Sequence, residues 1–200
     1  MYRNFLKRIF DLVFSCFAFL LLFPVFLILV FILMFINNGK PFYFQKRPGK
    51  NEKIFKIIKF KSMTDKKDAK GNLLPDKDRV TKFGDFIRKY SLDEIPQLLN
   101  IIKGDMSLIG PRPLRVQYLP FYTDNEKIRH TIKPGVTGLA QVSGRNALNW
   151  DQKLLLDIEY VEKMNIMLDL KIFFKTIEKV LTASNTELGE DIIDLNEYRK

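Results

Sequence analysis

Two carboxylates stand side by side at Asp93 and Glu94, inside the stretch YSLDEIPQL that covers residues 90–98. Such a pair can divide labour: one acid attacks as a nucleophile while its neighbour holds a metal ion. The same letters also describe a helix start. Ser91 and Glu94 have capping-box spacing, and acids are favoured in a first helical turn. Pro96 bears on both readings. With Ser91 as cap, the proline would fall at the fifth helical position, where it cannot donate to the Leu92 carbonyl. Proline is favoured at the first helical position, so the helix is expected to begin at Pro96. Asp93 and Glu94 then project from the junction just before it, with Ser91 as the capping residue. Capping and catalysis both remain open at this level.

Basic residues in tight or glycine-rich contexts come next: Arg112 in GPRP, Arg145 in SGRN and Lys61 in KFKSM. A guanidinium binds phosphate through two parallel bonds, and glycine lets backbone amides approach an anion. Taken singly, each is equally a solvated surface charge. His130 is the only histidine and is flanked by Arg129 and Lys133, which suits packing or surface better than general-base chemistry. One histidine and one cysteine, Cys16, leave little room for a nucleophilic triad and none for an internal disulfide. Asp105 in KGDMS is either a turn residue or a second acid. No GxGxxG and no GxxxxGK[ST] occurs, so neither a dinucleotide fingerprint nor a P-loop is indicated.

What positions these residues begins with a membrane element. Residues 12–36 are apolar apart from Ser15, and no charge lies between Asp11 and Lys40. As a straight helix they would extend about 37 Å, enough for a bilayer core of roughly 30 Å. The run is too long, and its continuation too bulky, for a cleaved signal peptide. Pro24 sits at its middle and favours a break. Both flanks are basic: Arg3, Lys7 and Arg8 before it, Lys40, Lys46 and Arg47 after it. Cytoplasmic flanks tend to be basic, so a hairpin that enters and leaves by one face satisfies both ends. A kinked spanning helix is the alternative.

Beyond the run, Pro48-Gly49 marks a turn between two aromatic-rich stretches, and residues 53–63 read as a strand or a basic membrane-surface segment. Residues 64–79 read as a loop, 80–89 as a helix, and 95–103 as a buried helix stopped by Gly104. Residues 114–132 are expected to hold a short helix, and 134–146 a loop with a strand-like centre. Residues 150–164 and 167–183 have amphipathic helical spacing. In the second, Leu168, Ile172, Phe173, Ile177, Val180 and Leu181 share one face, suited to the core or to a membrane surface. The acidic segment 184–200 is expected to be a flexible tail. Of 200 residues, 33 are basic and 23 acidic, a net charge of +10 that predicts an anionic partner. No recognition-helix or RNP pattern is present, which argues against nucleic acid.

Three blocks in order complete the pattern: KFKSM at 59–63, SLDEIPQLLNIIKGDMSLIGPRP at 91–113 and PGVTGLAQVSGRN at 134–146, behind one apolar segment. Together they resemble the bacterial sugar transferases of the monotopic phosphoglycosyl transferase type, over roughly residues 1–183. The resemblance implies a mostly helical α/β enzyme in three parts. These are a re-entrant membrane helix hairpin broken at Pro24 (1–40), a small cytoplasmic catalytic domain with interfacial amphipathic helices (41–183), and the tail. It places the enzyme on the cytoplasmic face of the bacterial inner membrane. It also implies a reaction, in which a sugar phosphate moves from a UDP-sugar to undecaprenyl phosphate with release of UMP. UDP-N,N′-diacetylbacillosamine or a related N-acetylated sugar is the implied donor. By the same resemblance Asp93 is the nucleophile, Glu94 helps hold Mg²⁺, and Arg112 and Arg145 lie near phosphate or nucleotide. Lys59 and Arg88 are implied there too. Phe23 stands where the family often has a small polar residue, and it cannot bond the carbonyl that Pro24 frees. The rival readings are a catalytically silent membrane scaffold and a tethered nucleic-acid binder. The dyad beside Pro96 and the phosphate-type motifs argue against the scaffold.

Overall fold

The computed structural model describes residues 2–144, 147–182 and 193–200. A π-helical turn, Tyr2–Leu6, runs into helix α1, Lys7–Ile36, which carries Pro24 inside it. The helix runs through the proline without interruption, so the hairpin break expected at Pro24 is not seen. Only 11% of the most apolar 18-residue stretch of α1 is buried. A soluble core helix of that composition would be mostly covered. Here Phe17, Leu20, Leu21, Phe31 and Phe35 point outward, as a helix facing lipid requires.

Both ends of α1 are held by the same folded body. Near its start, Lys7 pairs with Asp169 at 2.7 Å, Arg8 donates to the carbonyls of Ile101 and Ile102, and Asp11 accepts the Leu108 N–H at 3.0 Å. Near its end, Leu33 is fully buried and Phe26 packs on Phe42 and Phe60. Just past the end, the Asn37 amide donates to the Lys61 carbonyl at 2.9 Å.

The segment after α1 is a hairpin. Strand β1, Phe42–Pro48, pairs antiparallel with β2, Ile54–Phe60, with Phe42 opposite Phe60 and Pro48 opposite Ile54. Gly49 and a 3₁₀ turn, Lys50–Glu52, close it. Residues 53–63 are thus mainly strand, and Phe55, Ile57 and Phe60 face inward. Helices α2, Asp76–Arg79, and α3, Lys82–Lys89, follow. Thr81 caps α3 by accepting the Gly84 N–H at 2.8 Å. Helix α4, Gln97–Lys103, stops where Gly104 adopts φ +102°, a conformation that favours glycine. The main core joins Phe26, Leu29 and Leu33 of α1 to Phe60, Ile87, Ile95 and Ile101. One side of α1 is therefore a wall of the main core.

Strand β3, Ser107–Ile109, pairs in parallel with β4, Gly135–Thr137. The connection between them holds two 3₁₀ segments, Val116–Phe121 and Glu126–Thr131. Then come α5, Leu139–Ser143, α6, Trp150–Lys163, and α7, Ile166–Leu181. A capping box between Asn149 and Gln152 starts α6. The α/β expectation thus resolves to a mostly helical domain with two separate two-stranded sheets.

Two details depart from the sequence reading. The α7 residues assigned to one face divide between two: Ile172 is buried, while Ile177 and Leu181 are exposed. The exposed pair joins Met167, Leu170 and Phe174 in an outward apolar stripe beside Lys171 and Lys175, the pattern of an interfacial helix. Residues 193–200, read as the end of a flexible tail, are docked instead. Helix α8, Leu195–Tyr198, buries Leu195 completely. Asp194 pairs with Arg115 at 2.8 Å, and Arg199 with Glu126 at 2.6 Å. The rest of the expected tail, through residue 192, lies outside the described residues.

Candidate active site

The dyad sits on a 3₁₀ turn, Leu92–Glu94, between α3 and α4. Ser91 enters it in the left-handed conformation with φ +55°, and its side chain makes no capping bond. The Glu94 N–H bonds the Ser91 carbonyl at 3.1 Å instead. The expected cap is therefore corrected: a left-handed backbone makes the corner, and the hydroxyl takes no part. Pro96 stands at the cap position of α4, whose first residue is Gln97. The dyad does precede the helix, as the proline implies. Ile95 and Leu98 are buried beneath it, and both acids are nearly closed to solvent, Asp93 at 8% and Glu94 at 9% exposure.

Two cations converge on Glu94. Lys59, at the end of β2, lies 2.5 Å from Glu94 Oε1 and 3.6 Å from Asp93 Oδ2. Arg112, in the GPRP turn, reaches the same Oε1 at 2.8 Å. Each is fixed by a polar residue behind it. Asn100 of α4 accepts the Ile58 N–H at 3.0 Å and donates to the Lys56 carbonyl at 2.8 Å, which pins β2 beside the dyad. Arg129 donates to the Arg112 carbonyl at 2.7 Å, to Asp157 at 2.8 Å and to the Tyr122 hydroxyl at 3.0 Å. Arg129 and Asp157 are both buried, so removing either partner would cost about 3–5 kcal/mol. At the base of the same turn, Gly110 lies against Gly135. A Cβ on Gly135 would stand 2.1 Å from the Gly110 nitrogen, so the close approach excludes any side chain there.

The other candidates fall as follows. Arg88 lies on α3 with a buried Nη1 that has no partner, and its charge acts on Asp93. Arg145 lies outside the described residues. Lys61 pairs with Asp65, not with the dyad. Asp105 pairs with Lys103 at 2.9 Å and is a turn acid. His130 is buried with its ring 5.4 Å from that of Tyr122. Burial and the neighbouring Arg129 push its pKa down to about 4, so it is neutral at pH 7. It belongs to packing, as its sequence context suggests. Asn100 and Arg129 escape the sequence reading. Asn100 had a signal, a lone amide inside the buried run LLNIIK, whereas Arg129 sits in an ordinary charged stretch.

The surroundings split the two acids. Burial raises the Asp93 pKa, and Lys59 only partly offsets it. Burial acts on Glu94 as well, but Arg112 and Lys59 outweigh it and hold its carboxyl well below the usual range. Glu94 is a firmly ionised anchor. Asp93 is more basic and less encumbered, so the two acids are not equivalent.

The family model for bacterial sugar transferase matches residues 2–183. The chain belongs to the bacterial sugar transferase family. It is 49% identical over 183 residues to the uncharacterized sugar transferase EpsL of Bacillus subtilis, covering 91% of this chain and 90% of that protein. It is 39% identical to the undecaprenyl-phosphate galactose phosphotransferase of Salmonella typhimurium, over 89% of this chain and 41% of that protein. It is 36% identical to the undecaprenyl-phosphate glucose phosphotransferase of Komagataeibacter xylinus, over 90% of this chain and 36% of that protein.

The adjacent carboxylates Asp93 and Glu94 are the groups of this sugar transferase's site that could hold a divalent cation. Among the described residues no cluster of three or more His, Cys, Asp or Glu side chains occurs. A cation such as Mg²⁺ held there would draw on one carboxylate pair and otherwise on water and phosphate oxygens. Lys59→Met and Arg112→Met should each lower sugar-transfer turnover by about a hundredfold or more, the scale of losing one fixed electrostatic donor. Steady-state rates of the purified variants test this; turnover within threefold of the parent would remove these cations from the mechanism.

Proposed function

We propose that this enzyme is a phosphoglycosyl transferase that works in two steps through Asp93. A carboxylate oxygen of Asp93 attacks the sugar-linked phosphorus of a UDP-sugar. The bond from that phosphorus to the bridging oxygen breaks, and UMP leaves with the electron pair. An oxygen of undecaprenyl phosphate then attacks the same phosphorus. The Asp93 oxygen–phosphorus bond breaks, the carboxylate is restored, and the lipid carries the sugar diphosphate. The covalent stage lets a water-soluble donor and a lipid acceptor use one centre in turn.

The observation that carries the assignment is the asymmetry of the dyad. Glu94 has one oxygen shared by two cations at 2.5 and 2.8 Å, whereas among the described residues the cation paired with Asp93 stands at 3.6 Å. An oxygen so engaged is a poor nucleophile, and the freer, more basic Asp93 is the better one. Lys59, Arg88 and Arg112 reduce the repulsion between an attacking carboxylate and a diphosphate. Arg145 is assigned to the same phosphates by its motif. Mg²⁺, held by Glu94 with Asp93 alongside, would supply further positive charge to the diphosphate and the departing UMP.

The donor is a UDP-sugar, and we favour an N-acetylated one such as UDP-N,N′-diacetylbacillosamine. The galactose and glucose named for two relatives make a panel the proper test. The product starts a glycoconjugate on its lipid carrier, protein-linked glycans included. The enzyme acts on the cytoplasmic face of the inner membrane, with α1 as a re-entrant element. The grip of one body on both ends of α1 supports that topology. A straight 30-residue helix is about 45 Å long, and crossing the bilayer would carry one end away from the domain that holds it.

Asp93→Asn should abolish UMP release from a UDP-sugar in the presence of undecaprenyl phosphate, measured on an enzyme whose thermal unfolding matches the parent. Undiminished release would remove Asp93 as nucleophile. Tyr2→Cys and Lys40→Cys, each in a Cys16→Ser background, should react with an impermeant maleimide only from the cytoplasmic side. Reaction of Tyr2→Cys in intact cells would establish a spanning helix.

A further inference from the structure

A cleft of about 220 Å³ opens beside the dyad, between α1 and α7. Ala18 and Leu22 of α1 form one wall and Val180 of α7 another. Its inner end is polar, formed by Glu94 and Arg112, and Lys89 and Lys179 also line it. Among the described residues neither lysine is in an ion pair. Gln141 on α5 lines the cleft too. That residue is 9% exposed, and neither polar atom of its amide has a partner. Buried amides are ordinarily bonded, so one at the wall of a cleft with both atoms unmatched marks a place for a ligand.

Size and polarity restrict that ligand. At about 30 Å³ for each water-sized group, the cleft holds roughly seven heavy atoms. That admits a phosphate and the first few carbons attached to it. The cations require an anion. The walls continue into the exposed apolar faces of the two helices, Leu21 on α1 and Ile177 and Leu181 on α7. A hydrocarbon chain leaving the cleft would pass directly into lipid.

We propose that this cleft is the acceptor subsite, which takes the phosphate of a polyprenyl phosphate between Lys89 and Lys179, with Gln141 donating its amide N–H to a phosphate oxygen. The first isoprene carbons lie against Ala18, Leu22 and Val180, and the rest of the chain runs into the bilayer between α1 and α7. The proposal rests on the transferase reading for its place in the reaction. The subsite itself is a binding claim and is tested by binding.

The experiment measures the affinity of the full chain in nanodiscs for undecaprenyl phosphate. It compares the parent with the Lys89→Gln/Lys179→Gln double variant and, separately, with Gln141→Leu. Affinity should fall about tenfold or more in the double variant and several-fold in Gln141→Leu. In turnover, KM for undecaprenyl phosphate should rise in step, while KM for the UDP-sugar moves less than twofold. Unchanged acceptor affinity, or a raised donor KM with an unchanged acceptor KM, would overturn the assignment. Competition by inorganic phosphate or phosphatidic acid as effective as that by farnesyl phosphate would also overturn it, since the cleft would then read a phosphate or a phospholipid headgroup and not a prenyl phosphate. Loss of affinity in the variants of a chain that turns over no UDP-sugar would preserve the subsite and refute the transferase reading.

Discussion

Two adjacent carboxylates can be buried together only if something pays the electrostatic cost, and in this protein Lys59 and Arg112 do so at Glu94. Both cations meet one oxygen of one acid, so the arrangement is lopsided by construction. Glu94 is held ionised and fixed. Asp93 shares the same burial with weaker compensation, which raises its basicity. A symmetric arrangement would leave two equivalent acids and no preferred nucleophile. Much of the domain serves this one imbalance. Asn100 aligns β2 so that Lys59 arrives, and the buried Arg129–Asp157 pair anchors the turn that delivers Arg112.

The second constraint is that this chemistry must sit at a lipid surface. Helix α1 meets it by having two kinds of side. Phe26, Leu29 and Leu33 belong to the catalytic core, while residues such as Phe31 and Phe35 are left for lipid. Anchor and core wall are the same helix, so the distance between membrane and dyad is set by packing and not by a flexible linker. Helix α7 repeats the design, with Ile172 inward and its Phe174 stripe outward. The cleft beside the dyad lies where these two helices approach each other.

Much of this was legible in the sequence because the local rules act alone there. The apolar run, the Pro48-Gly49 turn, the stop at Gly104 and the helical periods of α6 and α7 each follow from one segment. Pro96 correctly moved the helix start beyond the dyad. Ser91 misled, because spacing cannot reveal a left-handed backbone that turns the hydroxyl away from its capping position. The docking of residues 193–200 was hidden for another reason. Leu195 is held by Tyr118 and Trp150, contacts far apart in the chain and silent in composition. Motif position identified Lys59 and Arg112, but which of KFKSM's lysines meets the dyad depends on strand register, and the hairpin decides it in favour of Lys59 over Lys61.

The central claim, a covalent stage on Asp93, is tested most directly by the intact mass of the protein. After mixing with a UDP-sugar that it turns over, and with no lipid acceptor present, the protein should gain the mass of one sugar phosphate, located on the peptide containing Asp93. The added mass should disappear when undecaprenyl phosphate is supplied. An unchanged mass, with UMP formed only once the acceptor is added, would mean direct transfer and would contradict the account.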